Sequence, residues 1–503
     1  MMKKENPKLY EINAVVWLHE LFLEHGVRFT IGNVPSQEWD KLKDMGFDYV
    51  WLMGVWKRSE ASIKLLHDGP ESVSFKSLFN SVLPGWTAED ITGSPYSIAA
   101  YDPDRLIGTW QDIDTARRQL NKRGIGLILD FVPNHTAPDH QWIFDYPDYY
   151  IQGTKRDFKK NPSLFFTVRR KLRTYYIARG KDPYFPPWMD TAQLNFFNPE
   201  LRSALMQELK KIAEHCDGVR CDMAMLVLKD IFQRNWGWAE NKADTKSWEY
   251  EFWQEARSAI PDFLLIAEAY WDTEWRLQQM GFDYVYDKRL YDRMRSLSAH
   301  EIYLHLKADI GFQKKLVRFI ENHDEPRSAD VFKKNSLFAS IVLFSTLPGL
   351  KLYHHGQLDG RRIKIPLQIS GARREEPDAE IRAFYEKILY MTKQDIFCSG
   401  RWKLKNVLPV ADDSFSGLIA YVWKTDKNLK LVAVNINQNF VQGRIPLKEE
   451  ISENYDYVLY DELNNQTYVR NGKEMTDPGL HVMLEGGRIH VFDISVKNII
   501  PGT

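Results

Sequence analysis

Residues 217–226 read DGVRCDMAML, an apolar run interrupted by one arginine and two aspartates. Side chains on a strand alternate between faces with period two, so Val219 and Cys221 share one face while Arg220 and Asp222 share the other. A cation and a carboxylate are thereby placed side by side in a largely buried position. Buried charges are rare, and those that occur are either paired for structure or held for chemistry. The neighbouring sequence decides between these two uses.

Seven further short apolar runs occur between Tyr10 and Tyr353: YEINAVVWL, FDYVWLM, GLILDFV, FLLIAE, FDYVYD, VRFIE and LKLYH. Together with GVRCD they make about eight, the number of strands a (β/α)8 barrel requires. Near-continuous apolar strands are typical of a parallel sheet covered on both sides. The segments between them look helical. In DIDTARRQLNKRG, Ile113, Ala116 and Leu120 fall on one face, with Gly124 at the stop. Pro377 and Asp378 open the last such helix, whose stripe is Ile381, Phe384, Tyr385, Ile388 and Leu389. Two regions break this rhythm. Residues 133–199 are rich in Tyr, Phe, Pro and Lys/Arg without a clean period and are too long for an ordinary connection, so they form an inserted subdomain. After about Asp395, short strands such as GLIAYVWK, LKLVAVNI, YDYVLY and RIHVFDI alternate with Asp, Asn and Gly, as in an all-β domain. The expected organisation is α/β: a barrel of residues 1–132 and 200–395, the insert at 133–199, and a C-terminal antiparallel β-sandwich at 396–503.

Bulk composition narrows the function classes. Lys+Arg 67 against Asp+Glu 68 leaves a net charge of -1, which offers no general attraction to nucleic acid or an anionic membrane. The local cluster Arg169, Arg170, Lys171 and Arg173 reads as a solvated face. Cys216, Cys221 and Cys398 are too few for a disulfide framework and lack metal-type spacing, which points to a reducing compartment. The N-terminal residues MMKKENPKLYEINAVVW contain no uninterrupted apolar core of a signal peptide, and no run of about 18 apolar residues occurs. A cytoplasmic, soluble protein without nucleic-acid or membrane partners is expected; oligomeric state is not legible.

Active sites of (β/α)8 barrels lie at the C-terminal ends of the strands. Four strands here end in polar residues: LILDFVPNH gives Asp130, Asn134 and His135; GVRCD gives Arg220 and Asp222; LLIAEAYW gives Glu268; RFIENHDEPR gives Asn322, His323, Asp324 and Glu325. Any one carboxylate could belong to an ordinary structural ion pair. Several of them converging around Arg220 as the main cation would repel at a cost of a few kcal/mol, which folding alone would not select.

These four segments, in this order, resemble the α-amylase family of glycoside hydrolases, and the likeness extends to the insert after the third strand and the β domain after the barrel. The resemblance implies a retaining enzyme that cleaves α-1,4-glucosidic bonds in maltooligosaccharides, glycogen or starch-type dextrins through a covalent glycosyl-enzyme. Such enzymes use two carboxyl groups roughly 5 Å apart. By resemblance, Asp222 is the nucleophile, Glu268 the acid and then base, and Asp324 the carboxylate that grips sugar hydroxyls and stabilises the distorted state. Arg220 keeps Asp222 ionised and aimed. His135 and His323 hydrogen-bond the sugar in the cleavage subsite, and Tyr96 stacks beneath it. Asp130 is expected to be a structural partner of Arg220.

No cofactor is required on this reading, although Asn134 matches a family position that often ligates a structural calcium. His135, His354 and His355 do not have zinc-ligand spacing with a third partner. Trp56, Trp188, Tyr270 and Trp271 flank strands and offer either packing or sugar-stacking surfaces. The sequence departs from typical family members where Met225 and Leu226 replace a Lys and a His on the leaving-group side, and where Gln357 replaces a glutamate after the eighth strand. Two alternatives accompany the hydrolase reading: a transglycosylase using the same intermediate, and a non-catalytic amylase-fold interaction protein, which would be expected to lack the carboxylates and to carry a membrane segment.

Overall fold

The computed structural model of the chain describes residues 4–69, 72–240 and 248–497. Eight parallel strands close into a barrel: β1 (Lys8–Asn13), β2 (Tyr49–Met53), β3 (Gly126–Phe131), β4 (Gly218–Cys221), β5 (Leu264–Ala267), β6 (Tyr284–Tyr286), β7 (Leu316–Arg318) and β8 (Leu350–His354). Each overlaps one of the eight apolar runs, β1 and β7 starting one or two residues earlier, and β2 to β5 are buried at every position, as strands covered on both faces should be. The first run differs in one respect. Its strand stops at Asn13, whose side chain accepts from Val16 N and caps the helix Ala14–His25, so AVVWL is helical.

The helices form for the reasons their sequences suggest. Trp110–Lys122 opens with a capping box between Thr109 and Asp112 and buries Ile113, Ala116 and Leu120; Gly124 follows it at φ 74°, a left-handed conformation suited to glycine. Ala379–Met391 is capped by Asp378, which accepts from Glu380 N and Ile381 N, and buries Ile381, Tyr385, Ile388 and Leu389. Phe384 is half-buried, its ring 4.5 Å from that of Phe338. A helix pair between β2 and β3, Glu60–Asp68 and Ser72–Val82, was not anticipated; it packs through Leu66 and Phe79 onto Ile91 and Ile369.

By internal contacts the chain divides into two units. The first comprises Tyr10–Tyr286 with Ile363–Glu375 and carries β2 to β6; the second comprises Asp287–Arg362 with the C-terminal region and carries β7 and β8. Within the first unit, residues 133–199 contribute an antiparallel hairpin, Phe165–Arg170 with Arg173–Ala178. The basic cluster sits at the tip of this hairpin, where Lys171 is left-handed and Leu172 is fully exposed.

In the second unit, eight antiparallel strands follow the barrel: β9 (Arg401–Leu404), β10 (Leu418–Lys424), β11 (Leu429–Asn435), β12 (Val441–Ile445), β13 (Asp456–Asp461), β14 (Gln466–Asn471), β15 (Leu480–Leu484) and β16 (Ile489–Val496). Six of them form one sheet in the order β9-β10-β11-β16-β13-β14, and β12 pairs with β15. Both sheets contribute to one core, through Leu431, Ala433 and Phe492 on one side and Val441, Ile445 and Val482 on the other. The helix Lys334–Thr346 is tied to the larger sheet, since Trp423 Nε1 donates to Thr346 O at 2.7 Å.

Candidate active site

Register brings the two central carboxylates together. In the parallel ladder between β4 and β5, Arg220 is level with Ile266 and Cys221 with Ala267, so the next residues, Asp222 and Glu268, leave adjacent strands at the same height. The ladder continues past the strand ends, with Glu268 N donating to Cys221 O and Ala224 N to Glu268 O, each at 3.0 Å. Arg220 lies between the two carboxylates. Its Nη1 donates to Asp222 Oδ1 at 2.7 Å, and its Nη2 lies 2.8 Å from Glu268 Oε2, out of line for a hydrogen bond. Asp222 and Glu268 are buried, with only 5% and 3% of their surfaces exposed.

Three aromatic rings surround the guanidinium: Trp51 and Tyr96 at 5.2 Å and Tyr286 at 5.7 Å from Arg220 Cζ. Burial opposes the arginine's charge, but Glu268, Tyr96, Tyr286 and Asp222 together outweigh it and hold its pKa well above the ordinary value. Arg220 is therefore a permanent cation whose Nη1 fixes the direction of Asp222. Glu268 is held from the other side. Its Oε2 accepts from Met223 N at 2.7 Å and its Oε1 from Tyr270 OH at 2.8 Å. Met223 adopts a left-handed conformation, φ 42°, which is costly for a side chain of this kind and turns its N–H onto Glu268.

Asp130 is structural, but Arg220 is not the partner that holds its oxygens in place. Trp51 Nε1 donates to Asp130 Oδ1 at 3.1 Å, Gly54 N donates to Oδ2 at 3.0 Å, and Trp56 Nε1 donates to its carbonyl at 2.8 Å. Asp130 thus organises the ends of β2 and β3. Trp56 is fully buried in this arrangement and serves as packing.

His135 is buried, and its ring lies 5.2 Å from that of Trp188. Desolvation lowers its pKa to about 4, against the opposing effects of Asp190 and a hydrogen bond to the Tyr96 backbone, so at neutral pH it is an uncharged hydrogen-bonding group. Behind it Asp190, raised above the usual carboxylate value by burial, accepts from Ser62 Oγ at 3.2 Å. Ser62, Phe75, Trp188, Asp190 and Gln368 line a cavity of about 260 Å³.

In the second unit, the loop after β7 carries His323 and Asp324, with His323 Nε2 3.0 Å from Asp324 Oδ2. Asn322 Oδ1 shapes this loop by accepting from Asp324 N and Glu325 N, both at 2.9 Å. A buried clasp not foreseen from the sequence closes beneath it. Glu321 accepts from Arg327 Nη1 at 2.8 Å, from Ser328 N at 2.7 Å and from Ser328 Oγ at 2.6 Å, and His354 Nδ1 lies 3.2 Å away. Burial raises the Glu321 pKa, but Arg327, His354 and Ser328 prevail and bring it to about 2. The local ENHDEPRS sequence held a hint, since Arg327 and Ser328 follow Glu321 by only six and seven residues.

A family model, "Alpha amylase, catalytic domain", matches residues 36–361. The chain belongs to the alpha-amylase family. Alpha-amylase 3 of Dictyoglomus thermophilum is 29% identical over 288 residues, spanning 51% of this chain and 52% of that protein. Oligo-1,6-glucosidase of Parageobacillus thermoglucosidasius is 26% identical over 202 residues, 38% of this chain and 30% of that one. The chain spans about half the length, or less, of the curated relatives it matches. A maltogenic alpha-amylase, AmyB, from Thermotoga neapolitana shares the fold over 98% of this chain and 99% of its own, with TM-score 0.70 and 20% identity.

Met225 and Leu226 lie in a short turn, Ala224–Val227, ahead of the helix Lys229–Trp236; both are fully buried, and both are apolar. Gln357 is also buried; it accepts from His354 N and donates to Tyr385 OH, each at 2.8 Å. Asn134 is buried, and its backbone and side-chain oxygens accept from Gln193 Nε2 at 2.9 and 3.1 Å. Among the described residues, no group of three His, Cys, Asp or Glu is placed to hold a metal, and no helix is long and apolar enough to cross a membrane.

One consequence for pH stability arises in the inserted region. His140 caps the helix Gln141–Asp145 by accepting from Trp142 N on Nδ1 at 3.1 Å, which requires an unprotonated nitrogen. Burial lowers its pKa to about 4, Asp139 acting the other way. With the folded value below the unfolded one of roughly 6.5, its stabilising contribution is complete above pH 6.5 and is lost as pH falls to 4. The loss is at most roughly 3 kcal/mol. His140→Asn, which keeps a capping oxygen that does not titrate, should flatten the fall in Tm between pH 6.5 and 4 relative to wild type. Parallel curves for the two proteins would refute this.

Proposed function

We propose that the chain is a retaining glycoside hydrolase acting on α-1,4-glucosidic bonds of maltooligosaccharides or related dextrins. The observation that carries this reading is the Arg220–Asp222–Glu268 cluster at the ends of β4 and β5. Asp222 attacks the anomeric carbon as a carboxylate while Glu268 gives a proton to the departing oxygen, and an ester to Asp222 forms as the glycosidic bond breaks. Glu268 then takes a proton from water, which attacks the ester and releases the sugar. Asp324, His323 and His135 are proposed to bind the sugar hydroxyls, with Tyr96 beneath the ring. Arg220 positions Asp222 and is not itself a reagent.

Apolar Met225 and Leu226, where the family resemblance expects a Lys and a His, offer no polar handholds on the leaving-group side, and Gln357 is engaged with His354 N and Tyr385 OH. Each hydrogen bond to a neutral hydroxyl is worth about 0.5–1.5 kcal/mol, so losing two or three changes affinity by roughly one to two orders of magnitude. The enzyme is accordingly proposed to prefer short oligosaccharides over polymeric starch. The expected result is a higher kcat/KM on maltoheptaose than on soluble starch per reducing-end equivalent. A strong preference for starch, with internal cleavage from the first minutes, would defeat this. Products longer than the substrate would instead identify a transglycosylase, in which a second sugar outcompetes water for the same ester.

A further inference from the structure

The inserted region gathers positive charge on one lobe. Residues 151–181 contain ten Lys or Arg and a single acidic residue, Asp157, in a chain whose net charge is -1. That carboxylate is used locally: Asp157 Oδ2 accepts from Thr154 N at 2.8 Å and from Thr154 Oγ1 at 2.7 Å, closing the capping box of the helix Lys155–Lys160. Two of the cations are engaged with aromatic rings, Arg179 over Phe166 at 5.2 Å and Lys181 over Trp236 at 5.4 Å. The other eight are turned toward water. Lys155, Arg156, Lys159 and Lys160 are exposed on the helix; on the hairpin Arg169, Lys171 and Arg173 are exposed and Arg170 is half-buried. Among the described residues, none of these eight is held in an ion pair.

Helix and hairpin belong to one lobe, because the rings of Phe158 and Tyr176 meet at 5.5 Å. The hairpin projects from it. Phe165, Ile177 and Ala178 at its base are buried, whereas Lys171, Leu172, Arg173 and Thr174 at its apex are exposed. At about 3.4 Å per residue, each strand carries the apex roughly 17 Å from the base. Cations spread over a helix and a hairpin of this length match an extended anion better than a single phosphate.

The apex itself discriminates between extended anions. Leu172 is fully exposed between Lys171 and Arg173. One exposed leucine is ordinary on any protein surface. At the end of a projecting hairpin and flanked by cations, it has the composition of a loop whose apolar tip enters a bilayer interface while its basic residues meet headgroup phosphates. A nucleic acid would engage the cations but give the leucine nothing, and the nearby Tyr175 ring already carries Arg173 Cζ at 4.7 Å, where a base would stack.

We propose that the Phe165–Ala178 hairpin is a peripheral docking element for an anionic lipid bilayer, with Leu172 entering the interface and the cations of hairpin and helix binding headgroup phosphates. Read from sequence as a solvated face, the basic cluster gains this use from its position at an apex. The attachment is reversible, weakened by salt, and independent of the chemistry at Asp222 and Glu268.

Sedimentation of the full chain with sucrose-loaded vesicles tests this. The protein is expected to pellet with vesicles of equimolar phosphatidylglycerol and phosphatidylcholine at about 0.1 M salt, to be released at about 1 M, and to ignore vesicles of phosphatidylcholine alone. Arg169→Gln, Lys171→Gln and Arg173→Gln combined should weaken the partition about 100-fold, and Leu172→Ser, which leaves the charge unchanged, about tenfold. Both variants should keep the wild-type Tm, because every altered side chain is exposed. Failure to pellet with the anionic vesicles, or pelleting that either variant retains in full, would overturn the proposal. Binding of a duplex DNA oligonucleotide as tightly as the vesicles, undiminished in Leu172→Ser, would overturn it in favour of a nucleic-acid surface.

Discussion

Asp222→Asn is expected to lower kcat on maltooligosaccharides by on the order of 10⁴-fold while the protein remains folded. The substitution keeps shape and an oxygen that can still accept from Arg220 Nη1, now 2.7 Å from Asp222 Oδ1. What it removes is the anionic nucleophile, without which no ester can form. Because one guanidinium faces two carboxylates, removing one negative charge does not strand Arg220, which still has Glu268 at 2.8 Å. Circular dichroism should therefore show the wild-type fold alongside the lost turnover. A folded Asp222→Asn protein that hydrolyses maltoheptaose at the wild-type rate would end the assignment.

Glu268→Gln carries the second largest effect, and its size should depend on the substrate. General acid catalysis contributes about 10²–10⁴-fold when the leaving group needs a proton. The loss should reach that range on maltoheptaose and stay within about tenfold on α-glucosyl fluoride, whose leaving group needs little help. Gln cannot reproduce the present geometry in full, since both Oε atoms accept, one from Met223 N and the other from Tyr270 OH. Some loss common to both substrates is therefore expected from misplacement alone. The contrast between the substrates is the diagnostic quantity. Equal losses on both would argue that Glu268 serves only to hold the loop.

The barrel was legible because its strands are short, apolar and buried on both faces, a signal that survives without knowledge of their neighbours. Arg220 and Asp222 were legible for a related reason: period two places them together whatever surrounds them. Legibility failed where buried elements of different kinds adjoin. YEINAVVWL is apolar throughout, so composition could not mark the change from strand to helix at Asn13, although its capping side chain could have. Asp130 was read with the wrong partner because Trp51 and Gly54 reach it from another strand, a contact that no local spacing encodes. The meeting of Tyr184 with Trp271 is likewise long-range. Trp271 was visible only as a residue that could pack or stack.

The level pairing of Cys221 with Ala267 constrains how such a chain can change over generations. Adding or deleting one residue early in β4, or within β5, would turn every following side chain to the opposite face, and so part Arg220 and Asp222 together from Glu268. Indels are thus confined to the connecting loops, where they leave the pairing untouched. The segments that hold the carboxylates must keep their length, while connecting loops away from His135 can lengthen or shorten without disturbing that register. New substrate preferences in this lineage would therefore arise by splicing at the rim, with the chemistry carried along unaltered.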